Sequence, residues 1–535
     1  MKVLNNYESI SKEELLMEPV KTNETTTPVN PLFPVMGIGC LLYALLYTIC
    51  LYHNPSGISY PFYIGGTCLF FCFFRMKSSL TDSSCAGNVA MQSISCKGNY
   101  NRILTPMTIF DLSSLMLLAL SVCFTDSSYL ILLGKTLIFF LLLHLFLCSF
   151  YEDRHWDIFT YVWAMIKTVF SSLAFLTRPF TDLTAYVKNR RNIQTSHTDN
   201  RRVLSIVIGL TVALLALPVI LLLLGSADAV FANLFQDAWN VFEGIMIHGD
   251  ILTILVMFLF GFFLSYCLLC RLQTPNLKEA SSCQKEDPVI AITFTSIFSV
   301  IYVLFCVIQI VYLFAGLGTL PENYTYASYA RAGFFQLVFV CLINLVSVLL
   351  CIRLFRPHRI LQLLLSVVSL CTFVMIASSA YRMLLYISVY HLTVLRVFVL
   401  WSLLVISFLM VGTLILIYKP AFPFVRYGII VVTVLFLLYS FSHPDYRIAR
   451  YNISHAAKDD YALTYLCQLS ADAAPVILGK LPEESDDPDD YYLSNLRQEY
   501  VDYLSDCTSD LSIRSFNFSR WKAKKLLGNL FFGIL

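Results

Sequence analysis

Long apolar segments alternate with short polar connections along most of the chain. A helix needs about 20 mostly apolar residues to cross the hydrocarbon core of a bilayer. Eleven segments approach or exceed this length: 31–52, 58–74, 107–124, 128–150, 203–225, 250–270, 289–316, 327–352, 360–380, 397–418 and 421–441. The pattern predicts an all-α polytopic transmembrane bundle of about eleven spans, with 31–441 as the transmembrane domain.

Both ends of the chain are polar. Residues 1–30 contain acidic residues and a run of threonines, and we expect a disordered cytoplasmic tail there. Residues 442–535 are less hydrophobic than the spans and numerous enough for a small domain. We therefore predict a mainly helical polar C-terminal domain, with helices from Asp459 to Ser470 and from Glu499 to Asp510.

Positive charge is distributed unevenly between alternate connections. The connections rich in Lys and Arg are 75–105, 151–202, 271–288 and 353–359. The connections without any Lys or Arg are 53–57, 125–127, 226–249 and 317–326. Basic connections remain on the cytoplasmic side of a membrane. The sequence thus predicts a cytoplasmic N-terminus, and eleven spans place the C-terminal domain outside the cell membrane.

The basic connection 151–202 has a pattern of its own. Large apolar side chains recur in it at helical spacing: Trp156, Phe159, Trp163, Ile166, Val169 and Phe170. This spacing predicts a cytoplasmic helix that lies in the membrane interface or packs under the bundle. The basic stretch from Lys188 to Arg202 either anchors the connection inside or binds anionic lipid head groups.

Composition narrows the class of protein further. The 535 residues are 57% hydrophobic and only 13% charged, and the mean hydropathy is +0.69. A soluble globule of this size cannot hide so much apolar surface, and disordered or collagen-like chains have the opposite composition. A net charge of +2 gives no basic excess for nucleic acid. The predicted partner is the lipid bilayer, with anionic lipid and a protein that binds the C-terminal domain as further candidates.

The sequence contains no recognisable catalytic, cofactor-binding or metal-binding motif, and it favours a non-enzymatic protein. Most of the 17 cysteines lie in apolar spans, where they behave as small buried hydrophobes. Cys467 and Cys507 in the C-terminal domain are either a disulfide or two buried thiols, and we favour the thiols. Only the group Glu152 to His155 places acid and base residues at a membrane face, and adjacent residues point in different directions on a helix.

Polar residues inside the spans are the next candidates, because they usually have a partner or face a cavity. We expect His144 to hydrogen-bond to a neighbouring helix rather than to relay protons. Gln309, Gln336 and Asn344 are neutral, and we expect them to join helices through hydrogen bonds.

Two polar stretches near predicted outer helix ends provide a candidate anion or ligand site. On a single helix, one face would carry the residues Arg382, Tyr386, Tyr390, Thr393 and Arg396. With Arg331 from the preceding stretch, the candidate site comprises Arg331, Arg382, Tyr386, Tyr390 and Arg396. Arginines and phenols that converge can bind an anionic head group or a carboxylate. Alternatively, these side chains are structural and pair with carboxylates of the C-terminal domain.

These stretches also carry a family resemblance. The matching residues are Tyr381-Arg382-Met383, Tyr386, Tyr390 to Thr393, Arg396, Tyr326 to Leu337, Ser226 to Asp228, Arg450 to Asn452 and Leu469 to Pro475. In combination they resemble the bacterial family called domain of unknown function 4173, which is related to 4153. The family usually has glycine where His391 stands. The resemblance covers roughly 200–535, implies a multi-spanning bacterial membrane protein with a polar C-terminal segment, and brings no activity with it.

Three functions remain open from the sequence. The first is a non-enzymatic protein that binds or moves an amphiphilic or anionic ligand at the cell envelope. The second is a membrane-anchored sensor or assembly partner that acts through its C-terminal domain. The third is a membrane enzyme that acts on a lipid-linked substrate, which requires a carboxylate or histidine pair at a membrane face.

Overall fold

The structure is a computed structural model, and helices make up most of the residues that it describes. It describes residues 32–53, 56–85, 105–151, 156–191, 249–273, 285–311, 334–456, 461–483, 488–509 and 511–532, with single positions at 209, 220, 224, 228 and 233. Within these ranges there is no strand, and an isolated bridge joins Glu286 to Phe355. The predicted all-α class is therefore confirmed.

The first part of the chain forms helices that mostly coincide with the predicted spans. They are α1 (Phe33–Leu51), α2 (Ser59–Cys85), α3 (Pro106–Phe124), α4 (Ser128–Phe150), α5 (Ile158–Ser172), α6 (Arg178–Arg191) and α7 (Gly249–Gln273). The remaining long apolar helices are α8 (Pro288–Gln309), α9 (Phe334–Leu354), α10 (Arg359–Tyr390), α11 (Val394–Tyr418) and α12 (Phe424–Phe441).

Ten of the described helices are long and apolar enough to cross a membrane, which makes this a multi-pass membrane protein. Nine of the ten coincide with predicted spans. The predicted span 58–74 forms part of α2, which is less apolar and is not among the ten, and 203–225 lies outside the described residues apart from single positions. The tenth is the segment Ile158–Phe175, in the connection that we expect to be interfacial.

The contacts of α5 bear on whether this helix spans the membrane or lies in its interface. Asp157 at its beginning pairs with Arg353 in the last turn of α9, at 3.0 Å. Ser171 near its end accepts a hydrogen bond from Arg271 in the last turn of α7, at 2.5 Å. Both α7 and α9 lead into basic connections, so both ends of α5 lie near predicted cytoplasmic helix ends. The interfacial position stays a prediction, which these contacts support against a spanning one.

The chain divides into two units. The first comprises Met1–Ile38 and Thr177–Phe242, and in its described part Phe33 and Tyr186 are in ring contact. The second comprises Gly39–Leu176 and Glu243–Leu535 and contains the rest of the bundle together with the C-terminal helices. Within the second unit, Asn344 joins three helices, because it accepts from Tyr302 at 2.8 Å and donates to Thr372 at 2.9 Å. This is the role that the sequence predicts for it.

The C-terminal helices surround a small core of their own. They are α13 (Pro444–His455), α14 (Tyr461–Thr464), α15 (Ala474–Lys480), α16 (Pro488–Ser509) and α17 (Phe518–Phe532), with 3₁₀ turns at Tyr465–Gln468 and Ala471–Ala473. Their shared core includes Ile448, Leu466, Ile477, Tyr500 and Leu504. The predicted continuous helix from Asp459 to Ser470 is wrong over its described part, which begins at Tyr461, because the chain becomes extended at Leu469 before α15 begins at Ala474. Cys467 and Cys507 are free thiols.

The C-terminal helices rest on one end of the bundle. Arg514 donates to the carbonyls of Ile49 and Tyr52 at 2.6 and 3.0 Å, which satisfies the end of α1. Ser519 donates to the Phe124 carbonyl at the end of α3, at 2.9 Å. Asn452 exchanges two hydrogen bonds with the backbone of Leu392, at 3.0 and 2.9 Å, just after α10. The residues after α12 are thus joined to the bundle by directional bonds.

Candidate functional site

The predicted arginine and tyrosine residues do not share one helix face. The helix α10 ends at Tyr390 and α11 begins at Val394, so the single-helix alignment of Arg382 with Arg396 is wrong. Arg382 is buried, and it donates to the Gln309 side chain at 3.1 Å, which also accepts from Ser378 at 2.6 Å. Arg331 lies outside the described residues. This contact of Arg382 joins α10 to α8 and favours a structural role, although its partner is an amide of α8 and not the C-terminal carboxylate of the alternative prediction.

Arg396 also makes structural contacts, at the end of α10. Its guanidinium donates to the carbonyls of Tyr390 and His391 and lies over the Tyr386 ring, 4.4 Å from the centroid. Tyr386 and Tyr390 are also in ring contact, at 4.8 Å. A cation at the end of a helix satisfies exposed carbonyls and matches the helix dipole. The role of the five predicted residues in ligand binding stays a prediction.

The backbone at this bend explains why glycine is usual there in the resembling family. His391 has φ 59° and ψ −171°, a region that is nearly exclusive to glycine. Most side chains at such a position are strained by about 1–3 kcal/mol. The bend itself is present here, although the residue is histidine.

We expect His391→Gly to be more stable than His391→Ala by about 1–2 kcal/mol, since both remove the imidazole and only glycine relieves the positive φ. The measurement is the thermal unfolding of both purified variants in the same detergent. An alanine variant as stable as the glycine variant would show that the bend is unstrained.

A buried group of carboxylates lies where the C-terminal helices meet the bundle. Asp126 belongs to the connection between α3 and α4, Asp445 to the first turn of α13, and Asp472 to the 3₁₀ turn Ala471–Ala473. They are 5%, 2% and 6% exposed. Asp472 accepts hydrogen bonds from the Thr125 hydroxyl at 2.5 Å and from the Asp126 backbone N–H at 3.0 Å. The Asp472 side chain therefore joins the C-terminal segment to the bundle directly.

Each carboxylate has a basic or hydroxyl partner. Arg520 donates to Asp126 at 2.5 Å, and the ring Nδ1 of His443 lies 3.6 Å from Asp472. Ser470 donates to Asp445 through its hydroxyl at 2.6 Å and through its backbone N–H at 3.3 Å. Local sequence explains the placement of Asp445, because Pro444 begins α13 and a carboxylate in the first turn matches the helix dipole.

The three carboxyl groups differ in their pKa. Burial raises the pKa of Asp126, and Arg520 partly offsets this effect. Burial also raises the pKa of Asp445, against the hydrogen bonds from Ser470. Burial alone would raise the pKa of Asp472 too, but hydrogen bonds from His443, Ser519 and Thr125 hold it below its ordinary value. Asp472 is therefore the carboxylate that stays ionised most readily.

The raised pKa of Asp445 has a consequence for stability. A carboxyl group whose pKa is raised by folding stabilises the fold at acidic pH, and that stability is lost as pH rises from the ordinary pKa through the raised one. We expect Asp445→Asn to unfold at a higher temperature than wild type at pH 7–8, and the two unfolding temperatures to converge toward acidic pH. Unfolding temperatures across this pH range test it, and an Asn variant that is less stable by a constant margin would contradict it.

A cavity of about 680 Å³ lies against this carboxylate group, and we call it the junction cavity. One face of α13 lines the cavity with residues that recur about one helical turn apart. They are Tyr446, Arg450 and Ser454 in one row and Arg447 and Tyr451 in the next. Phe518 and Lys522 of α17 form another wall, and Asp472 and His443 also line it. The cavity therefore combines aromatic walls with a concentration of basic side chains.

The positive charges of the junction cavity are incompletely neutralised. Among the residues that the structure describes, the side chains of Arg450 and Lys522 have no hydrogen bond or ion pair. Arg447 donates through Nε to the Ser442 carbonyl at 2.9 Å, which leaves its other nitrogens available. The carboxylate oxygens of Asp472 are already engaged by donors. Three cationic side chains that line one cavity favour the binding of an anion.

Most of these residues are not among the sequence-predicted site residues. Arg450 and Asp472 belong only to the family resemblance, and Arg447, Lys522 and Asp126 belong to no predicted site. The helical spacing of basic and aromatic residues just after the last span was the available signal. Within the described ranges, no group of three or more His, Cys, Asp or Glu is arranged to hold a metal ion.

The fold and the junction cavity define a class, which is a multi-pass helical membrane protein with a C-terminal segment docked on one end of its bundle. The family described as Domain of unknown function (DUF4153) matches residues 112–479, more than half of the chain. The chain therefore belongs to this family. The match includes Asp126, Arg447, Arg450 and Asp472 and stops before α16 and α17. Comparisons with curated proteins and with solved structures gave no match.

Proposed function

We propose that this protein binds an anionic amphiphile in the junction cavity. The observation that carries the proposal is the pair of unpartnered cations, Arg450 and Lys522, on two walls of one cavity. A guanidinium and an ammonium group together match the charge and hydrogen-bonding needs of a phosphate group. Arg447 adds a third cation on the same face of α13.

The aromatic walls and the position of the cavity favour an amphiphile over a small soluble anion. Tyr446, Tyr451 and Phe518 give the cavity an apolar side. The cavity begins at Ser442, immediately after the apolar helix α12 ends at Phe441. A ligand with a phosphate head group and an apolar body would satisfy both the cations and the aromatic side chains.

We propose the outer face of a bacterial cell membrane as the place of this site. The C-terminal helices contact the ends of α1, α3 and α10, which are the ends opposite the basic connections. By the positive-inside rule, this end faces away from the cytoplasm. The resemblance to domain of unknown function 4173, beyond the DUF4153 family, belongs to the same proposal and is consistent with a bacterial envelope protein.

The proposal is tested by ligand binding to the purified full-length protein in detergent. The probes are short-chain phosphatidylglycerol, short-chain phosphatidylcholine and inorganic phosphate, with affinity measured by calorimetry. We expect phosphatidylglycerol to bind most tightly. The double variant Arg450→Gln/Lys522→Gln should bind it at least about tenfold more weakly, since each charged hydrogen bond contributes about 1.5–3 kcal/mol.

A matched control lies on the same helix as Lys522. Lys525 is exposed on α17, lies over the Trp521 ring and does not line the cavity, so Lys525→Gln should bind like wild type. Unchanged affinity in the double variant would refute the proposal. Equal binding of inorganic phosphate and phosphatidylglycerol would assign the site to a soluble anion instead of an amphiphile.

One observation favours a second function, a membrane enzyme that acts on a lipid-linked substrate. His443 lines the junction cavity beside the ionised Asp472, and a histidine oriented by a carboxylate is a common general base. Mass spectrometry of the phosphatidylglycerol after long incubation would show turnover by wild type and none by His443→Gln. Intact lipid with wild type would leave binding as the function.

A further inference from the structure

A second ionisable group lies inside the bundle, far from the junction cavity. Asp111 in α3 and His144 in α4 are each 1% exposed, and the His144 Nε2 lies 3.4 Å from an Asp111 carboxylate oxygen. The other ring nitrogen of His144 is hydrogen-bonded to the Tyr161 hydroxyl of α5. His144 follows the outer end of α4 at Ser128 by 16 residues, or about 24 Å. The expected hydrogen bond to a neighbouring helix is the one to Tyr161, and the Asp111 carboxylate, which was not among the sequence-predicted residues, adds a close charged contact.

The imidazole of His144 thus lies between an acid and a phenol. In the neutral ring with its proton on Nε2, that nitrogen lies 3.4 Å from the Asp111 carboxylate oxygen, an electrostatic contact longer than a usual hydrogen bond, and Nδ1 accepts from the Tyr161 hydroxyl. When the ring takes up one proton from water, both nitrogens donate, so the Tyr161 hydroxyl must reverse and accept. The imidazolium then pairs with the carboxylate in surroundings where that attraction is strong. Protonation therefore changes both the charge of the group and the direction of its bond to α5.

The surroundings of the pair are mostly apolar. Its helices share a core with residues of α2, α7 and α12, and α12 contributes apolar side chains such as Phe436. Among the described residues, the helices around this core also carry Cys148, whose sulfur lies 3.3 Å from the His144 Nδ1, Tyr151 just after α4, Arg75 on α2 and Arg271 on α7. Arg75 lies over the Phe150 ring, and Arg271 donates to Ser171.

We propose that Asp111 and His144 form a proton-binding site within the membrane. Its protonation state determines whether the Tyr161 hydroxyl of α5 donates to His144 or accepts from it. Ionisable residues at membrane depth commonly take part in proton binding and transfer. The two groups titrate as one coupled pair. The site is independent of the junction cavity, and its ligand is a single proton.

The first test compares unfolding temperatures of the purified protein between pH 5.5 and 8.5. Since the imidazolium–carboxylate attraction is lost when the proton leaves, we expect the wild-type unfolding temperature to fall as pH rises through the titration of the pair. Asp111→Asn/His144→Gln keeps the polar shapes without the titration, so its dependence on pH should be weaker. His358→Asn is the control, because this exposed histidine caps α10 and asparagine retains the cap.

The second test does not depend on the stability of the double variant. The protein has nine histidines, and nitrogen NMR of ring-labelled histidine resolves their protonation states. We expect one titrating resonance to be absent from His144→Gln and to shift its midpoint in Asp111→Asn. A His144 resonance that stays constant from pH 5.5 to 8.5, or a double variant with the wild-type dependence on pH, would overturn the proposal.

Discussion

Asp472→Ala is expected to release the C-terminal helices from the bundle. The carboxylate accepts from Thr125 and from the Asp126 backbone, and its own side chain is fully buried. Removing it leaves these two buried donors unsatisfied, at about 1–3 kcal/mol each, so the loss should be about 2–6 kcal/mol. Hydrogen exchange measured by mass spectrometry should show faster exchange in α13 and α17, while α8 to α10 stay protected.

Two variants control this prediction. Asp502→Ala removes an exposed carboxylate of α16 that accepts from Gln498, and it should leave exchange unchanged. Asp472→Asn keeps one acceptor oxygen and should have an intermediate effect. Wild-type exchange in Asp472→Ala would contradict the view that this carboxylate joins the two parts.

Tyr500→Ala should have the other large effect. Tyr500 is 0% exposed in the core of the C-terminal helices, and its hydroxyl donates to the Ser470 carbonyl at 2.7 Å. Truncating a buried aromatic side chain costs about 3–5 kcal/mol, because it leaves a cavity. Tyr500→Phe loses only the hydrogen bond and should cost about 1 kcal/mol. Unfolding temperatures of these variants measure both effects.

The neighbouring Tyr503 provides the control for size. It is more than a third exposed on the same helix, so Tyr503→Ala should cost less than Tyr500→Ala by at least about 2 kcal/mol. Equal losses at the two positions would mean that the C-terminal helices are not packed around Tyr500.

The apolar pattern predicts the bundle well for a physical reason. A span must be long and apolar whatever its neighbours are, so nine spans can be recognised without tertiary information. The segment Ile158–Phe175 is apolar and long enough for a span, whereas its place in a basic connection predicts an interfacial helix. The contacts of Asp157 and Ser171 with predicted cytoplasmic helix ends support the interfacial prediction.

The junction cavity depends on residues that are distant in sequence. Asp126 and Asp472 come together across 346 positions, and no local pattern encodes such a meeting. The break at His391 was also not predicted, because a residue other than glycine is uncommon at a positive φ, and a single histidine in an apolar segment does not indicate one. The helical spacing from Tyr446 to Ser454 is visible in the sequence. A cavity beside this face can be inferred only when α17 is known to form the opposite wall.

The most direct measurement of the central claim is a cryo-electron microscopy structure of the full chain in nanodiscs that contain phosphatidylglycerol. If the junction cavity binds an anionic amphiphile, we expect head-group density in it within hydrogen-bond distance of Arg450 and Lys522. This density should be lost in Arg450→Gln/Lys522→Gln. An empty cavity in the wild-type protein, with ordered anionic lipid bound elsewhere on the bundle, would contradict it.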